Sequence, residues 1–357
     1  MWLAAARRLQ WNVTTLQPGD IRIRTYNLCL VGLGNVGKAF VALLQKKQLE
    51  LNSRYGIEGR VTGIASRRLG WLVAPGGFTP AKVLAADFSE AQRAGDLREW
   101  LRLGQADALL ETSSLNATTG QPAIDHIRAA LENGAHAISA NKGPVVHAYR
   151  ELTKLAAAKG RRFLFESAVM DGAPIFSLFR EAMPAVEIRG FRGILNSTTN
   201  LILEGMESGM TFDASVRKAQ ELGVAESDPT DDIEGVDAAV KVVALANVLM
   251  EADLKLDDVA RQGIRGITVE QLRDARANGE AWKLVCSARR NSSRKVTASV
   301  QLERLPLSDP LAQVQATSSV ISFETDILPR LIIIEQDPTV ETTAYGLLAD
   351  FLIAVRS

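Results

Sequence analysis

Short apolar runs alternate with longer segments of helical periodicity over the first half of the chain. The strand-length runs lie at residues 26–31, 60–65, 108–110, 136–138 and 163–165. Helical patterns follow two of them, at residues 38–51 and 124–133. An uninterrupted apolar run is typical of a strand that is buried on both faces. Strands that alternate with helices in this way predict βαβ units around a parallel sheet.

The hydrophobic pattern changes after residue 166. Between residues 295 and 302, apolar side chains occupy every second position and polar side chains the positions between. A period of two indicates a strand with one covered face, and so an antiparallel or mixed sheet. Further strands are predicted at residues 188–195 and 331–334, and helices at residues 212–223, 235–250 and 342–355. We therefore expect two different sheets in one chain.

Composition and charge argue against some classes of binding partner. Hydrophobic residues make up 46% of the chain, and 41 Lys and Arg residues balance 41 Asp and Glu residues. A nucleic-acid-binding protein usually has a basic excess, and a membrane span needs about 18 consecutive apolar residues. Neither feature is present, so we expect a small-molecule substrate, no nucleic acid and no membrane. Cys29 and Cys286 lie in apolar runs and predict free thiols in a reducing, cytoplasmic setting, with one disulfide as the alternative.

Residues 1–25 form an N-terminal extension of unusual composition. They contain four arginines and a single acidic residue, Asp20. A short extension, or a start codon placed too early, accounts for this pattern. An organelle transit peptide is the alternative, because such peptides are often rich in arginine and poor in acids.

A glycine-rich motif follows the first predicted strand. Residues 32–37 read Gly-Leu-Gly-Asn-Val-Gly and fit the pattern G-x-G-x-x-G between a strand and a helix. In that context the first glycine permits a tight turn, the second admits a pyrophosphate and the third lets the helix pack on the strand. The N–H groups at the start of the helix would hold the phosphates. A plain glycine-rich turn is the alternative interpretation.

The end of the second predicted strand bears on the choice between NAD and NADP. An acidic residue at this position would bind the ribose 2′-hydroxyl of NAD. Here the sequence is Ser66-Arg67-Arg68, with no acid and with two guanidinium groups that suit a 2′-phosphate. We therefore predict NADP as the preferred cofactor. NAD remains the alternative if both arginines simply face solvent.

The richest cluster of ionisable residues lies at residues 225–241, which hold seven such side chains and run into an apolar helix. Asp237 and Lys241 are four residues apart and share one helix face. A lysine beside an aspartate among apolar turns is costly unless the pair has a function, and desolvation can shift a lysine pKa toward neutrality. The spacing fits a proton-exchanging pair and a surface salt bridge equally well.

This stretch resembles the signature of homoserine dehydrogenases, which reads approximately E-x-D-P-x-x-D-[DIL]-x-G-x-D-x-x-x-K. The matching residues are Glu226, Asp231, Asp232, Gly235, Asp237 and Lys241. Other segments resemble the family in the same chain order, namely the glycine turn, Glu111-Thr112-Ser113-Ser114, and residues 140–144, 166–174 and 193–200. The resemblance covers about residues 27–351, without the kinase and regulatory domains of some family members.

The resemblance implies an activity and a fold. The activity is NADP-dependent interconversion of L-homoserine and L-aspartate-4-semialdehyde. The fold is α/β, with a Rossmann-type, doubly wound nucleotide-binding domain at residues 26–166 and a mixed α/β catalytic and dimerisation domain at residues 167–335. Strands within residues 295–335 would form a homodimer contact, and residues 336–357 would form a helix that returns to the first domain. The alternatives are another NAD(P) dehydrogenase of an amino-acid-like substrate and a non-catalytic NADP-sensing protein.

The resemblance also implies roles for individual residues. Lys241 would donate the proton, and Asp237 would hold and tune Lys241. Lys142 is a second candidate for the proton donor. Glu226 would bind the substrate ammonium, and Asp232 and Thr198 would help to seat the substrate. The cofactor-binding residues would be Gly32, Gly34, Asn35, Val36, Gly37, Arg67, Arg68, Thr112, Ser113 and Lys142. Backbone carbonyls of Glu166, Val169, Asp171 and Ala173 would coordinate a structural Na⁺ or K⁺.

Three places depart from the family pattern. The family usually has a glycine-rich turn before its last helix, whereas residues 336–344 contain no glycine. Asp171 stands where a small residue is usual, and Asn196-Ser197 stands where Gly-Thr is more common.

The three histidines, His126, His136 and His147, are too scattered for a transition-metal site and are assigned to packing or to the surface.

Overall fold

The computed structural model describes residues 22–356, and the first half of this range is built on a seven-stranded sheet. Its strands are Arg24–Val31 (β1), Ile57–Ser66 (β2), Gly70–Val73 (β3), Gln92–Ala94 (β4), Ala108–Glu111 (β5), His136–Ser139 (β6) and Phe163–Leu164 (β7). The order is β4-β3-β2-β1-β5-β6-β7, parallel except for the antiparallel edge formed by β3 and β4. The strand order reverses beside β1, where sheets of this kind bind nucleotides.

Helices cover both faces of this sheet. They are Asn35–Glu50 (α1), Pro80–Leu84 (α2), Leu97–Leu103 (α3), Ala123–Glu132 (α4) and Gly143–Ala158 (α5). Alternate residues of β1 enter opposite layers, so Leu28 and Leu30 pack with Phe40 of α1 while Cys29 packs with Trp100 of α3. Burial on both faces explains why this strand is apolar throughout instead of alternating.

The second half contains a six-stranded mixed sheet. Its strands are Ile188–Ile194 (β8), Val259–Arg261 (β9), Glu280–Arg290 (β10), Val296–Pro306 (β11), Ser319–Thr325 (β12) and Leu331–Glu335 (β13). The order is β13-β12-β8-β10-β11-β9, antiparallel except for the parallel pair β11 and β9. In β11 the predicted alternation is confirmed, because Val296, Ala298 and Val300 are buried while Thr297 and Gln301 are exposed.

Helices of the second half pack against this sheet and against the first one. They are Ser197–Glu207 (α6), Phe212–Glu221 (α7), Thr230–Ile233 (α8), Val236–Leu249 (α9), Val269–Ala277 (α10) and Val340–Arg356 (α11). The central helix is α9, whose apolar stretch from Ala238 to Ala246 is almost entirely buried. Helix α11 returns to α1, and its Leu347 and Phe351 join the layer that contains Leu28.

The predicted fold class, a doubly wound sheet with a second mixed sheet, is confirmed. Several elements were not predicted, among them β3, β4, β10, β12, α5 and α6. Strand β1 begins at Arg24, so the last residues of the predicted N-terminal extension belong to the sheet. Residues 1–21 lie outside the described range, and so does the alternative prediction of a transit peptide. Cys29 and Cys286 are buried and free, so the disulfide alternative is wrong. Among the described residues, none of the helices combines the length and apolar character needed to cross a membrane.

Candidate active site

The glycine motif forms the turn between β1 and α1. Gly32 has a φ of +95°, and a Cβ at this residue would lie 2.4 Å from the carbonyl oxygen of Thr112. A Cβ at Gly37 would lie 2.2 Å from the carbonyl oxygen of Gly32, so a side chain fits at neither position. By contrast, a Cβ at Gly34 would meet nothing within 4 Å, and no side chain in the described range caps the start of α1. The turn therefore leaves open space in front of unpaired N–H groups, which suits a pyrophosphate.

A cavity of about 270 Å³ joins this turn to the second half of the molecule. It is lined by Val36, Thr112, Ser113, Ala140, Lys142, Ser167, Ala168, Val169, Asp171, Lys241 and Thr343. Residues from α1, the end of β5, the start of α5, α9 and the start of α11 thus face one space. A nicotinamide ring and a small substrate would meet in such a place, beside the carboxyl ends of the parallel strands.

Two lysines share one carboxylate at the wall of this cavity. The Lys241 Nζ lies 3.3 Å from Asp237 Oδ2, and the Lys142 Nζ lies 3.2 Å from Asp237 Oδ1. Lys241 also donates to the carbonyl oxygen of Leu195 at 2.5 Å. The side chains of Lys241, Asp237 and Lys142 are only 15%, 19% and 21% exposed. The alternative of a solvated surface salt bridge is therefore wrong, since screening by water is largely lost at this depth.

The ionisation of this cluster follows from competition between burial and charge. Burial alone would raise the pKa of Asp237, but the ammonium groups of Lys142 and Lys241 outweigh it and hold that pKa below its ordinary value. Burial alone would lower the pKa of Lys241, but the carboxylates of Asp237, Asp171 and Asp232 outweigh it and raise that pKa. Desolvation therefore does not shift the pKa of Lys241 toward neutrality, because the surrounding carboxylates favour its ammonium form.

Asn196 links the lysine–aspartate cluster to Asp232. It caps the N-terminus of α6, where its Oδ1 accepts from the N–H of Thr199. Its Nδ2 donates to Asp232 Oδ1 at 2.7 Å and to Asp237 Oδ2 at 3.2 Å. Burial, followed by the neighbouring Asp237, raises the pKa of Asp232. No functional role for Asn196 is predicted from the sequence, although an asparagine before Ser-Thr-Thr is a recognisable helix cap.

Other predicted residues lie apart from this cluster. Glu226 is exposed in the loop before α8, and its backbone carbonyl accepts from Gln220. Arg67 and Arg68 are exposed in the turn after β2, and within residues 22–356 neither takes part in an ion pair. They are thus free to meet a phosphate at the open side of the glycine turn. Thr198, in contrast, is buried at the start of α6, where its hydroxyl donates to the carbonyl oxygen of Val224 at 3.3 Å.

The predicted cation loop runs from Glu166 to Ala173. The carboxylate of Glu166 is buried and accepts the backbone N–H groups of Ile175, Phe176 and Ser177 at 2.5, 2.7 and 2.7 Å. Its side chain is therefore committed to shaping the loop, which leaves backbone carbonyls and the nearby carboxylate of Asp171 as hard oxygen donors. Such donors suit Na⁺ or K⁺.

Two departures from the family pattern meet at the edge of this loop. Asp171 has a φ of +40°, and its Oδ1 accepts from the hydroxyl of Thr343 at 2.6 Å. The carbonyl of Thr343 in turn accepts from the hydroxyl of Ser167 at 2.7 Å. Thr343, in the first turn of α11, thus ties the glycine-free residues 336–344 to the cavity through hydrogen bonds with the side chains of Asp171 and Ser167. Glu335, which was not predicted, accepts from the N–H of Gly172 at 3.3 Å, and burial followed by Asp171 raises its pKa to about 7.

Comparison with known proteins gives consistent results over the two halves. The family model for the NAD-binding domain of homoserine dehydrogenase matches residues 32–166, and the model for homoserine dehydrogenase matches residues 174–352. Among curated relatives, an NAD⁺-dependent homoserine dehydrogenase of Pseudomonas canavaninivorans is 34% identical over 92% of this chain and 95% of its own length. A homoserine dehydrogenase of Methanocaldococcus jannaschii is 33% identical over 91% of this chain and 97% of its own.

Solved structures agree with the sequence relatives. A structure of a homoserine dehydrogenase from Archaeoglobus fulgidus, described as putative, has a TM-score of 0.81 and 29% identity, covering 92% of this chain and 98% of that one. A hyperthermophilic archaeal homoserine dehydrogenase in complex with NADPH has a TM-score of 0.79 and 25% identity, covering 93% and 98%. One relative is thus named for NAD⁺, whereas a structural neighbour holds NADPH.

Proposed function

The chain belongs to the homoserine dehydrogenase family, a family of nicotinamide-dependent oxidoreductases acting on a CH–OH group, and from this premise we propose how its residues divide the reaction. The enzyme interconverts L-homoserine and L-aspartate-4-semialdehyde. When bound, the nicotinamide donates or accepts the hydride. The protein must bind both molecules side by side and handle the proton on the reacting oxygen.

Lys241 is the residue that handles this proton. An ammonium group has three donors, of which one is given to Leu195 and one is directed at Asp237. The third remains for the carbonyl oxygen of a substrate in the cavity that Lys241 lines. This third donor is the observation that carries the proposal. As hydride arrives at the aldehyde carbon, the protonated amine stabilises the developing alkoxide and delivers its proton.

Asp237 and Lys142 support this chemistry. Asp237 is held in its charged form by both lysines, and it raises the pKa of Lys241 in return. Lys142 lines the same cavity from the start of α5 and adds a second positive charge near the reacting oxygen. Lys142 is therefore also the rival for the role of proton donor, and comparison of the two lysine variants distinguishes these roles.

Substrate and ion binding belong to the second half of the chain. Asp232 in α8 and Thr198 at the start of α6 would seat the polar groups of homoserine, and Glu226 would reach its ammonium from the exposed loop. The carbonyls of Glu166, Val169, Asp171 and Ala173 would hold a structural Na⁺ or K⁺. This ion would fix the loop that bears Asp171 beside Lys241.

NADP(H) would be the preferred cofactor. Arg67 and Arg68 are exposed where an acid would select NAD, and no ion pair within the described part of the chain occupies their guanidinium groups. Dissociation constants of NADP(H) and NAD(H) should be measured for the wild type and for Arg67→Ala combined with Arg68→Ala. The double variant should lose the preference, and equal affinities in the wild type would contradict the assignment.

The enzyme would act as a homodimer. Strand β13 lies at an edge of the second sheet; Ile334 on this strand is 51% exposed, and Ile327 in the loop between β12 and β13 is 68% exposed. An open edge strand with exposed apolar side chains is normally covered by a partner.

Turnover by the purified protein tests the whole proposal. Absorbance of NADPH reports homoserine oxidation and semialdehyde reduction, and alcohols of other chain length with the same amino-acid head group serve as competitors. A higher kcat/KM for one of those alcohols than for homoserine would contradict the substrate assignment.

A further inference from the structure

A buried glutamate and histidine lie directly behind the cofactor side of the cavity. Glu111, at the end of β5, has no exposed surface, and His126 of α4 is 8% exposed. The His126 Nδ1 lies 2.6 Å from Glu111 Oε2. A carboxylate of this kind accepts hydrogen bonds, so Nδ1 is the donor. The imidazole also packs edge-on against Trp71, with ring centroids 5.8 Å apart.

The second oxygen of Glu111 is bonded to the segment that faces the cofactor. Its Oε1 accepts the N–H of Ser113 at 2.8 Å and also the hydroxyl of Ser113. Between these residues, Thr112 donates through its hydroxyl to the carbonyl oxygens of Val31 and Gly32 at 3.0 and 2.6 Å. The same short segment therefore supports the glycine turn and lines the cavity, while Glu111 itself is not part of the cavity wall.

From Ser113 the network continues to the first turn of α5. The carbonyl of Ser113 accepts from Asn141 Nδ2 at 3.1 Å, and Asn141 Oδ1 accepts from the N–H of Gly143 at 2.9 Å. Asn141 is buried, and it lies between β6 and Lys142. Lys142 in turn contacts Asp237. An unbroken path of hydrogen bonds therefore joins the histidine to the backbone on either side of Lys142.

We propose that His126 is a positioning residue for cofactor binding, which acts through Glu111 to fix the Thr112–Ser113 segment and, through Asn141, the backbone at Lys142. This inference rests on the proposed assignment of Thr112, Ser113 and Lys142 to the cofactor side of the cavity. A carboxylate without exposed surface is stable only while donors satisfy it. Without His126, the carboxylate of Glu111 keeps only Ser113 as a hydrogen-bond partner among residues 22–356 and is free to rotate toward water, which releases the segment that it holds.

Variants of His126 that differ in the position of one donor test this proposal. His126→Phe keeps an aromatic ring against Trp71 and removes the donor. His126→Asn places an amide nitrogen near the position of Nδ1, whereas His126→Gln places its amide near that of Nε2. The Kd of NADP(H), measured by titration of its fluorescence, and the KM values for cofactor and for homoserine should be determined for each. His136→Asn is the matched control, because His136 lies at the opposite end of the parallel strands, where its Nδ1 accepts from the N–H of Arg162 at 3.1 Å.

His126→Phe and His126→Gln should weaken cofactor binding by about tenfold, as expected for the loss of a hydrogen bond to a charged group. The KM for homoserine should change little, because Asp232 and Thr198 are not in this network. His126→Asn should restore cofactor binding, and His136→Asn should not alter it. A purely structural role would lower the melting temperature and the active fraction, but it would leave Kd and KM at wild-type values. That result for His126→Phe would overturn the proposal.

Glu111→Gln tests the same hydrogen-bond network if His126→Phe does not fold. The amide keeps the volume of the side chain and removes the buried charge. Because His126 bonds Oε2 and Ser113 bonds Oε1, the NH₂ group that replaces one of these oxygens cannot accept from its partner. It should therefore weaken cofactor binding in the same way, and an unchanged Kd would count against the network. Because the Kd titration needs no turnover, its result is independent of whether Lys241 is the proton donor.

Discussion

Replacement of Lys241 by methionine is the sharpest test of the proposed chemistry. Methionine keeps the length and apolar character of the side chain, so it fills the space beside the buried face of α9. It removes the ammonium group that donates to Leu195 and approaches Asp237 at 3.3 Å. Asp237 is not left alone, because Lys142 at 3.2 Å and Asn196 at 3.2 Å remain as partners. We therefore expect Lys241→Met to fold and to bind cofactor.

The expected effect is on the chemical step. The variant loses the only donor that we assign to the substrate oxygen, and loss of a general acid typically lowers a rate by roughly 10²–10⁴-fold. This corresponds to about 3–5 kcal/mol of barrier. The kcat for semialdehyde reduction, followed by NADPH absorbance, should fall by this factor while the Kd of NADPH stays within about twofold. A primary isotope effect with 4-deuterated NADPH should increase, because hydride transfer then limits turnover.

Lys142→Met is the matched control, since Lys142 shares the carboxylate of Asp237 and lines the same cavity. If Lys241 is the donor, Lys142→Met should be the milder of the two variants in kcat. Near-wild-type kcat in Lys241→Met, together with loss of activity in Lys142→Met, would refute the assignment and reverse the two roles.

Asp237→Asn removes the carboxylate that does most to raise the pKa of Lys241. The alkaline limb of the pH profile of kcat/KM for semialdehyde reduction should therefore move to lower pH. An unchanged profile would contradict the pairing of Asp237 with Lys241. Exhaustive removal of Na⁺ and K⁺ should lower activity and melting temperature, and readdition of either ion should restore them; unchanged values would mean that the loop binds no cation. Sedimentation of the wild type at micromolar concentration should give the mass of a dimer, and the variant Ile334→Glu should give the mass of a monomer. A monomeric wild type would refute the proposed interface.

Local patterns explain which parts of the molecule were predictable. The glycine turn is recognisable in the sequence because the positions that require glycine lie close together in the chain, between an apolar strand and a helix. Asp237 and Lys241 were recognisable because a spacing of four places them on one helix face. Strand β10 is not predicted by its sequence pattern, because both of its faces are partly covered and Ala281, Leu284 and Val285 give no clean period of two.

The remaining contacts join residues that are far apart in the chain. Lys142 begins α5 and Asp237 lies in the first turn of α9, so only the packing of these helices brings them together. The sequence predicts only a packing or surface role for His126, because an isolated histidine on α4 carries no local signal. Its partner Glu111 belongs to another element, and the pair becomes evident only when the helix lies on the sheet.

The protonation of Lys241 shows how one such long-range contact changes the chemistry. From its apolar helix alone, this lysine should lose its charge easily. In the folded protein the triad of Lys142, Asp237 and Lys241 carries one net positive charge, and the more distant carboxylates of Asp171 and Asp232 also favour the ammonium form of Lys241. The positive charge is therefore in place before an alkoxide develops, which is electrostatic preorganisation. The same charge makes Lys241 an acid ready for semialdehyde reduction, whereas homoserine oxidation requires this residue to release its proton first.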